Sequence, residues 1–371
     1  MGELRKSIEH LEMHQVRHGM MSKYRPWILE LIKMHKLYQC IVVLSDFWKK
    51  FDGIALANAL CDMDAAMSVE GHVIMGLIPP SGVIPNFKSD TFDATCVGKE
   101  DGFFVLYVTQ ISKTTAQDWR QKICNRIALF RDIKVMLPHV TGAFTQSDGA
   151  YNDNTMALHM ALLGKVTGIH VLGSGHNEPG HGGDRVDSWG ACLIAHMWSW
   201  VRDILHNDIA IDSPDVTCRA LVEPPLAGSV ARVVDHDPAV LDGIYDKKKN
   251  AFKGVKILDM YWKLYPRSGI IPDTLWPAGS LEKYPGGIRM YRFIGCGATL
   301  CGLGTGQSFT EAQMHEMRNG NTLEPSVVVK SEQSSYLKHK ETVTYDLDRN
   351  DRREKKERQA AVMEERRAKK D

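Results

Sequence analysis

The sequence predicts an α/β fold with a mixed five-stranded sheet in the order 3-2-1-4-5, flanked by helices. Three observations lead to this prediction. Three strand-like apolar runs come first, and strands then alternate with amphipathic helical stretches. Two aspartates follow strand-like runs, and a third opens the last long helix. Consecutive strands pair most simply as an antiparallel meander, whereas the later alternation requires right-handed crossovers between parallel strands.

The first half of the pattern consists of a helix and three strands. Residues 3–38 are typical of a helix, because Trp27, Ile28, Leu31 and Ile32 recur at helical spacing. The three strands that follow are predicted at residues 40–46, 72–78 and 103–111. Connections rich in Gly, Pro and Asp separate them, as expected for turns.

The second half alternates helices with strands. A helix at about 114–132 carries Trp119, Ile123, Ile127 and Phe130 on one face. The remaining predicted elements are a strand at 140–147, a helix at about 153–165, a strand at 169–173 and a helix at 187–206. This alternation supplies the fourth and fifth strands of the predicted sheet.

The chain divides into four segments by composition. They are an N-terminal helical arm (1–38), an α/β domain (39–206), a Pro-rich irregular C-terminal extension packed on the core (207–330) and a charged tail (331–371). The tail lacks apolar periodicity, which indicates either a single solvated helix or disorder.

Composition narrows the classes of protein. Of the 371 residues 43% are hydrophobic and 25% are charged, with a net charge of +1, as in an ordinary globular protein. No apolar run reaches the length of a membrane span. The eight cysteines form no CxxC pair, which favours reduced thiols. We therefore expect an intracellular protein, nuclear or cytoplasmic, with no membrane contact. The sequence leaves open whether it forms homo-oligomers.

Three acids are the candidate catalytic residues. Asp46 and Asp148 end strand-like runs, and Asp187 opens the last helix. Carboxylates that converge repel one another unless cations lie between them, so the pattern predicts a site for two divalent cations. For each Asp alone, a role as a turn or helix-cap residue remains an alternative. The element order is that of the ribonuclease H-like fold, in which these three places meet.

Four motifs carry a further resemblance. They are Val43–Asp52 around the first acid, Gln146–Asn154 around the second, the Gly-rich Glu178–Asp187 before the last helix, and Gly287–Gly297. In this order they resemble the catalytic core of eukaryotic DDE-type transposases, over roughly residues 20–300.

The resemblance implies DNA strand cleavage and transfer at Asp46, Asp148 and Asp187, with Mg²⁺ or Mn²⁺ as cofactor and DNA as partner. Asp184 and Glu178 are alternates for the third acid. Basic residues of the tail are candidate DNA contacts: Arg352, Arg353, Lys355 and Lys356.

Two other functions stay open. The third motif has no lysine between its glycines at Gly182-Gly183-Asp184, which favours a domesticated, catalytically inactive DNA-binding or protein-interaction module with the same fold. A mononuclear metal enzyme using His176, Glu178 and His181 is the other alternative, because two histidines and a carboxylate can leave an open position on zinc or iron.

Overall fold

A computed structural model provides the structure of the chain. It describes residues 23–38, 40–51, 53–54, 67–77, 87–89, 92–94, 97–100, 103–113, 115, 119–147, 152–177, 185–203, 209–223, 229–234, 252–295, 297–304 and 306–320. The greater part of the predicted N-terminal helix and the whole charged tail lie outside these residues.

The described part of the chain contains both helices and strands. The α-helices are α1 (Tyr24–Met34), α2 (Trp119–Met136), α3 (Asn154–Met160), α4 (Leu163–Thr167), α5 (Arg185–Arg202), α6 (Pro214–Val222), α7 (Ser280–Lys283) and α8 (Glu311–Met317). The first eight strands are β1 (Ile41–Phe51), β2 (Met67–Leu77), β3 (Phe87–Ser89), β4 (Phe92–Ala94), β5 (Val97–Glu100), β6 (Phe103–Ser112), β7 (Gly142–Ser147) and β8 (His170–His176). The later strands are β9 (Ser229–Val233), β10 (Trp262–Leu264), β11 (Ile288–Tyr291), β12 (Phe293–Ile294), β13 (Gly302–Leu303) and β14 (Gln307–Phe309).

One large mixed sheet forms the centre of the fold, which confirms the α/β class. Its path is β14-β11-β10-β8-β7-β1-β2-β6-β5, and β9 pairs with β6 beside it. The sheet therefore has ten strands. The predicted order of five strands, 3-2-1-4-5, is wrong for the sheet as a whole. The physical reason lies in the predicted irregular extension, because short strands from residues 229–309 continue the sheet. Their runs of three to five residues are too brief to show a periodicity of two.

Strand directions are mixed around β1. β1 pairs antiparallel with β2 and parallel with β7, and β7 pairs parallel with β8. β2 pairs antiparallel with β6. The apolar runs at 40–46 and 140–147 are thus adjacent parallel strands.

The helices cover both faces of the sheet. On one face α2 and α3 pack against Val42 and Leu44 of β1, and on the other α1, α5 and α6 pack against Val43 and its neighbours. Side chains alternate between the two faces along a strand, so Asp46 shares the face of α2 while Phe47 shares the face of α5. No helix among the described residues is both long and apolar enough to cross a membrane.

Several boundaries differ from the sequence prediction. β1 continues to Phe51, so that Asp46 lies within the strand and not at its end. β2 begins at Met67, five residues before the predicted start, and the helix predicted at about 153–165 is divided into α3 and α4. Lys49 and Lys50, which are exposed, hid the end of β1, whereas Ser68 and Glu70, which are buried, hid the start of β2.

A close approach between β1, β2 and α5 fixes the spacing of these elements. Phe47 of β1 lies opposite Gly71 of β2, and a Cβ atom at Gly71 would overlap the Phe47 ring. A Cβ atom at Gly190 of α5 would come within 3.2 Å of the same ring. The ring therefore fills the space that the two glycines leave, and it sets how closely the start of α5 approaches the sheet.

We predict that Gly71→Ala lowers the free energy of unfolding by about 1–3 kcal/mol, because the added methyl group forces the Phe47 ring to move. In a Phe47→Ala background, the same substitution costs less, since the space is then open. Urea unfolding of the two single variants and the double variant measures this coupling. Equal costs of Gly71→Ala in both backgrounds would show that the ring does not lie on Gly71.

Candidate functional site

Asp46 occupies the centre of a polar row that crosses four strands. In the sheet register it lies opposite His72 of β2 and opposite Ser147 of β7. Ser147 lies in turn opposite His176 of β8. Polar side chains at matched positions on neighbouring strands point to the same face, which here is the face covered by α2.

Arg126 of α2 forms a two-pronged ion pair with Asp46. Its Nη1 donates to Asp46 Oδ1 at 3.1 Å, and its Nη2 donates to Oδ2 at 2.5 Å. The Asp46 side chain has no exposure, and that of Arg126 has 2%. Paired hydrogen bonds between a guanidinium and a carboxylate are among the strongest polar contacts in proteins.

His72 makes the other contact to Asp46 and connects it to a longer chain of hydrogen bonds. His72 Nδ1 lies 2.7 Å from Asp46 Oδ1, and His72 Nε2 lies 3.1 Å from Gln110 Oε1. Gln110 Nε2 donates to the backbone carbonyl of Asn125, and Asn125 Nδ2 donates to Glu70. Because Gln110 uses its amide nitrogen on a carbonyl, its oxygen must accept from His72.

Both ring nitrogens of His72 thus face acceptors. Nε2 faces the Gln110 oxygen and Nδ1 faces the Asp46 carboxylate. Asp46 therefore lies between Arg126 and His72.

The electrostatics of Asp46 follow from these contacts. Burial alone would raise the pKa of this carboxyl group, but Arg126 and His72 outweigh burial and lower it. Asp46 is consequently ionised and neutralised inside the protein. Removing one partner of such a buried pair strongly destabilises the protein, because an uncompensated charge is left behind.

The arrangement does not fit a divalent cation on Asp46. Both carboxylate oxygens accept from Arg126, one of them also accepts from His72, and no part of the side chain reaches solvent. A metal ion there would lie against the Arg126 guanidinium. No set of three or more His, Cys, Asp or Glu side chains within the described residues could hold a metal ion. Mg²⁺ or Mn²⁺ stays a prediction.

The other predicted acids lie partly outside the described residues. Asp148, Asp184 and Glu178 are among those not described, as are His181 and the tail residues Arg352, Arg353, Lys355 and Lys356.

Asp187 is in the first turn of α5 and is exposed. α5 packs on the face of the sheet opposite to the Asp46 side chain. Convergence of the three acids stays a prediction.

His176 takes part in a network of hydroxyl groups. Its Nδ1 lies 3.1 Å from Ser147 Oγ and its Nε2 lies 3.0 Å from Ser174 Oγ, while Thr145 Oγ1 donates to Ser174 Oγ. The ring is buried. Both ring nitrogens are therefore engaged, and no observation favours a mononuclear metal site on His176, Glu178 and His181.

A buried lysine holds the motif that contains Asp148. Lys263 of β10 donates to Asn152 Oδ1 at 2.5 Å and to the carbonyl of Met260 at 3.1 Å. Burial lowers the pKa of Lys263 to about 7, with Asp153 acting in the opposite direction. Asn152 belongs to the predicted Gln146–Asn154 motif, so β10 anchors this motif from the C-terminal part of the chain.

A narrow cavity is lined in part by Arg126, which pairs with Asp46, by His176 and by Lys263. Its lining residues are Arg126, Thr145, Ser147, Met156, Ala157, Met160, Ser174, His176, Lys263 and Tyr265. It has room for about one water molecule. The Tyr265 hydroxyl is buried and has no hydrogen-bond partner within the described residues, so a water in the cavity would satisfy it.

The sequence analysis missed the residues that surround Asp46. Arg126 lies on the apolar stripe of the predicted helix, three residues after Ile123 and four before Phe130. An arginine on a buried stripe requires an acidic partner, and this was the available signal. His72 stood at the predicted start of a strand. Glu70 fell outside that strand, and neither Gln110 nor Asn125 carried a signal of its own.

Comparisons with known proteins give no identification. No family model matches the sequence, and no curated protein or solved structure matches it either. The functional argument consequently depends on the residues and their geometry.

The buried Lys263 predicts a pH dependence of stability. The unfolded chain keeps the lysine proton up to about pH 10.5, whereas the folded chain releases it near pH 7. Between these values the unfolded state binds more protons, so the free energy of unfolding rises with pH by about 1.4 kcal/mol per unit.

Urea unfolding at pH 7, 8 and 9 measures this slope as the difference between wild type and Lys263→Met. The exposed Lys165, replaced in the same way, is the matched control and should leave the slope unchanged. Parallel curves for wild type and Lys263→Met would contradict a lowered pKa.

Proposed function

We propose that the chain is a polynucleotidyl transferase with a ribonuclease H-like core that cleaves DNA strands and transfers them. One observation carries the proposal. Asp46 lies opposite Ser147 on the adjacent parallel strand, and Ser147 directly precedes Asp148 in the sequence. An acid on the first strand and an acid directly after its parallel neighbour in the sequence form the arrangement that the resemblance to DDE-type transposases implies.

The neighbouring strands support the ribonuclease H-like assignment. Within the larger sheet, β6, β2, β1, β7 and β8 are consecutive neighbours. β2 is antiparallel to both β6 and β1, whereas β1, β7 and β8 run parallel to one another. In chain order these five strands correspond to the five predicted from the sequence, and the additional strands extend the sheet at its two sides.

The proposed reaction is a phosphoryl transfer in two steps. Water attacks a phosphodiester of DNA, breaks its P–O3′ bond and releases a 3′-hydroxyl group. This hydroxyl group then attacks a phosphodiester of the target strand in line, joins its 5′-phosphate and displaces the 3′-hydroxyl group of the target. Asp46, Asp148 and Asp187, or Asp184 or Glu178 as third acid, are the proposed catalytic residues. Arg352, Arg353, Lys355 and Lys356 are proposed to contact DNA phosphates without sequence preference.

Magnesium or manganese is the proposed cofactor. The described contacts of Asp46 do not fit it, because Arg126 and His72 use the carboxylate. A metal-dependent form of this protein therefore requires different contacts at Asp46.

A second function is supported by the same ion pair. In an inactive protein with such a fold, the fully buried Asp46 would serve only to stabilise the core through its ion pair with Arg126. The missing lysine at Gly182-Gly183-Asp184 is in keeping with this alternative. The second proposal is thus a domesticated DNA-binding or protein-interaction module without catalysis.

We predict that purified protein nicks supercoiled duplex DNA in the presence of Mg²⁺ or Mn²⁺, and that Asp148→Asn lowers the rate at least about a hundredfold. The expected loss is large because the catalytic residues act as a unit. The exposed Asp215→Asn is the matched control and should retain the wild-type rate.

Three further substitutions, Asp187→Asn, Asp184→Asn and Glu178→Gln, assign the third acid by which of them abolishes nicking. Circular dichroism establishes that each variant is folded. Equal nicking by wild type and Asp148→Asn, or none by either, would reject the catalytic proposal and leave the binding module.

A further inference from the structure

We propose that the narrow cavity lined by residues of α3, β7, β8 and β10 binds one chloride ion. This inference is independent of the proposed function. Its basis is the chemistry of the cavity walls. Arg126 and Lys263 carry positive charges, four other lining residues carry hydroxyl groups, and none of the described residues that line the cavity carries a carboxylate. Walls of this composition favour an anion over a cation.

Lys263 supplies a buried positive charge that has no carboxylate in contact with it. Its ammonium group donates to Asn152 Oδ1 and to the carbonyl of Met260, and both of these acceptors are neutral. An ammonium group has three N–H groups, so the third has no acceptor among the described residues. A buried charge is costly unless a counter-ion compensates it. The cavity, which Lys263 lines, has the space for such a counter-ion.

The carboxylates around the cavity interact with other cations. Asp46 forms its ion pair with Arg126. Burial raises the pKa of Asp153, and of the two lysines that oppose this rise Lys122 acts more strongly than Lys263. The three cations Lys122, Arg126 and Lys263 thus stand against two carboxylates. One positive charge remains in excess, and a single monovalent anion balances it.

Tyr265 supplies a further donor. It lines the cavity and is 4% exposed, and its hydroxyl group has no hydrogen-bond partner within the described residues. A buried hydroxyl group without a partner costs free energy, and this cost is removed when the group donates to a ligand in the cavity. Lys263 and Tyr265 therefore offer two donors to the same small space.

The size of the cavity limits the ligand to a single small ion. The space holds about one water molecule, which excludes phosphate and sulfate. Chloride is somewhat larger than water, but Met156 and Met160 form part of the wall, and methionine side chains adapt readily to the shape of a neighbouring group. A water molecule would also fit, although it would leave the charge of Lys263 uncompensated.

The stability of the full chain in chloride tests the proposal. Urea unfolding is measured at pH 6, where Lys263 is charged because burial lowers its pKa only to about 7. Sodium chloride is compared with sodium gluconate at the same ionic strength, since gluconate is too large for the cavity. At a chloride concentration about ten times the dissociation constant, the ratio of folded to unfolded chain should rise about tenfold.

Three variants locate the ion. Lys263→Met removes the charge and should abolish the gain in chloride. Tyr265→Phe removes only a hydroxyl group from the cavity wall and should lose most of the gain, and it provides the answer if Lys263→Met does not fold. Lys165 is an exposed lysine that pairs with Glu311, so Lys165→Met is the matched control and should keep the full gain.

The outcomes separate an internal chloride ion from the alternatives. Equal stability of wild type in chloride and in gluconate would overturn the proposal and leave water as the occupant of the cavity. A gain in chloride that Lys263→Met keeps, or that Tyr265→Phe keeps where Lys263→Met does not fold, would place the ion outside the cavity and would also overturn it. A gain that depends on these residues supports the site, whether or not the chain nicks DNA.

Discussion

The buried ion pair between Asp46 and Arg126 is the constraint on which the polar centre of this fold depends. Both side chains are buried, so removing one partner would leave the charge of the other poorly compensated. The pair joins β1 to α2, and His72 and Gln110 extend the contact to β2 and β6. All of these hydrogen bonds form only when the four elements have the right relative position. They therefore restrict how α2 packs on the sheet more than apolar contacts do.

Two structural features fix the elements that carry or precede the predicted acids. The parallel pairing of β1 and β7 places Asp46 beside Ser147, and Lys263 holds Asn152 a few residues later. On the opposite face, the Phe47 ring between two glycines sets the approach of α5, which begins near Asp187. The catalytic proposal and the binding-module proposal share this framework. They differ in whether the chain cleaves DNA.

The sequence predicted the α/β class and the apolar strands around Asp46 because those strands carry long, nearly continuous runs such as Cys40–Leu44. It did not predict the outer strands, since Trp262–Leu264 or Gln307–Phe309 are too short for a period to be recognised. The three acids were identified by their positions beside strands and a helix. Arg126 was missed because its partner lies 80 residues away, and only the fold brings the two together.

Titration of the Asp46 carboxyl group tests the account most directly. Carbon-13 NMR of the side-chain carboxyl, assigned with Asp46→Asn, follows its protonation in the metal-free protein. The ion pair predicts a pKa below the ordinary value of an aspartate, because Arg126 and His72 outweigh the effect of burial. A pKa at or above the ordinary value would show that these two groups do not outweigh burial at Asp46, and would contradict the ion-paired arrangement.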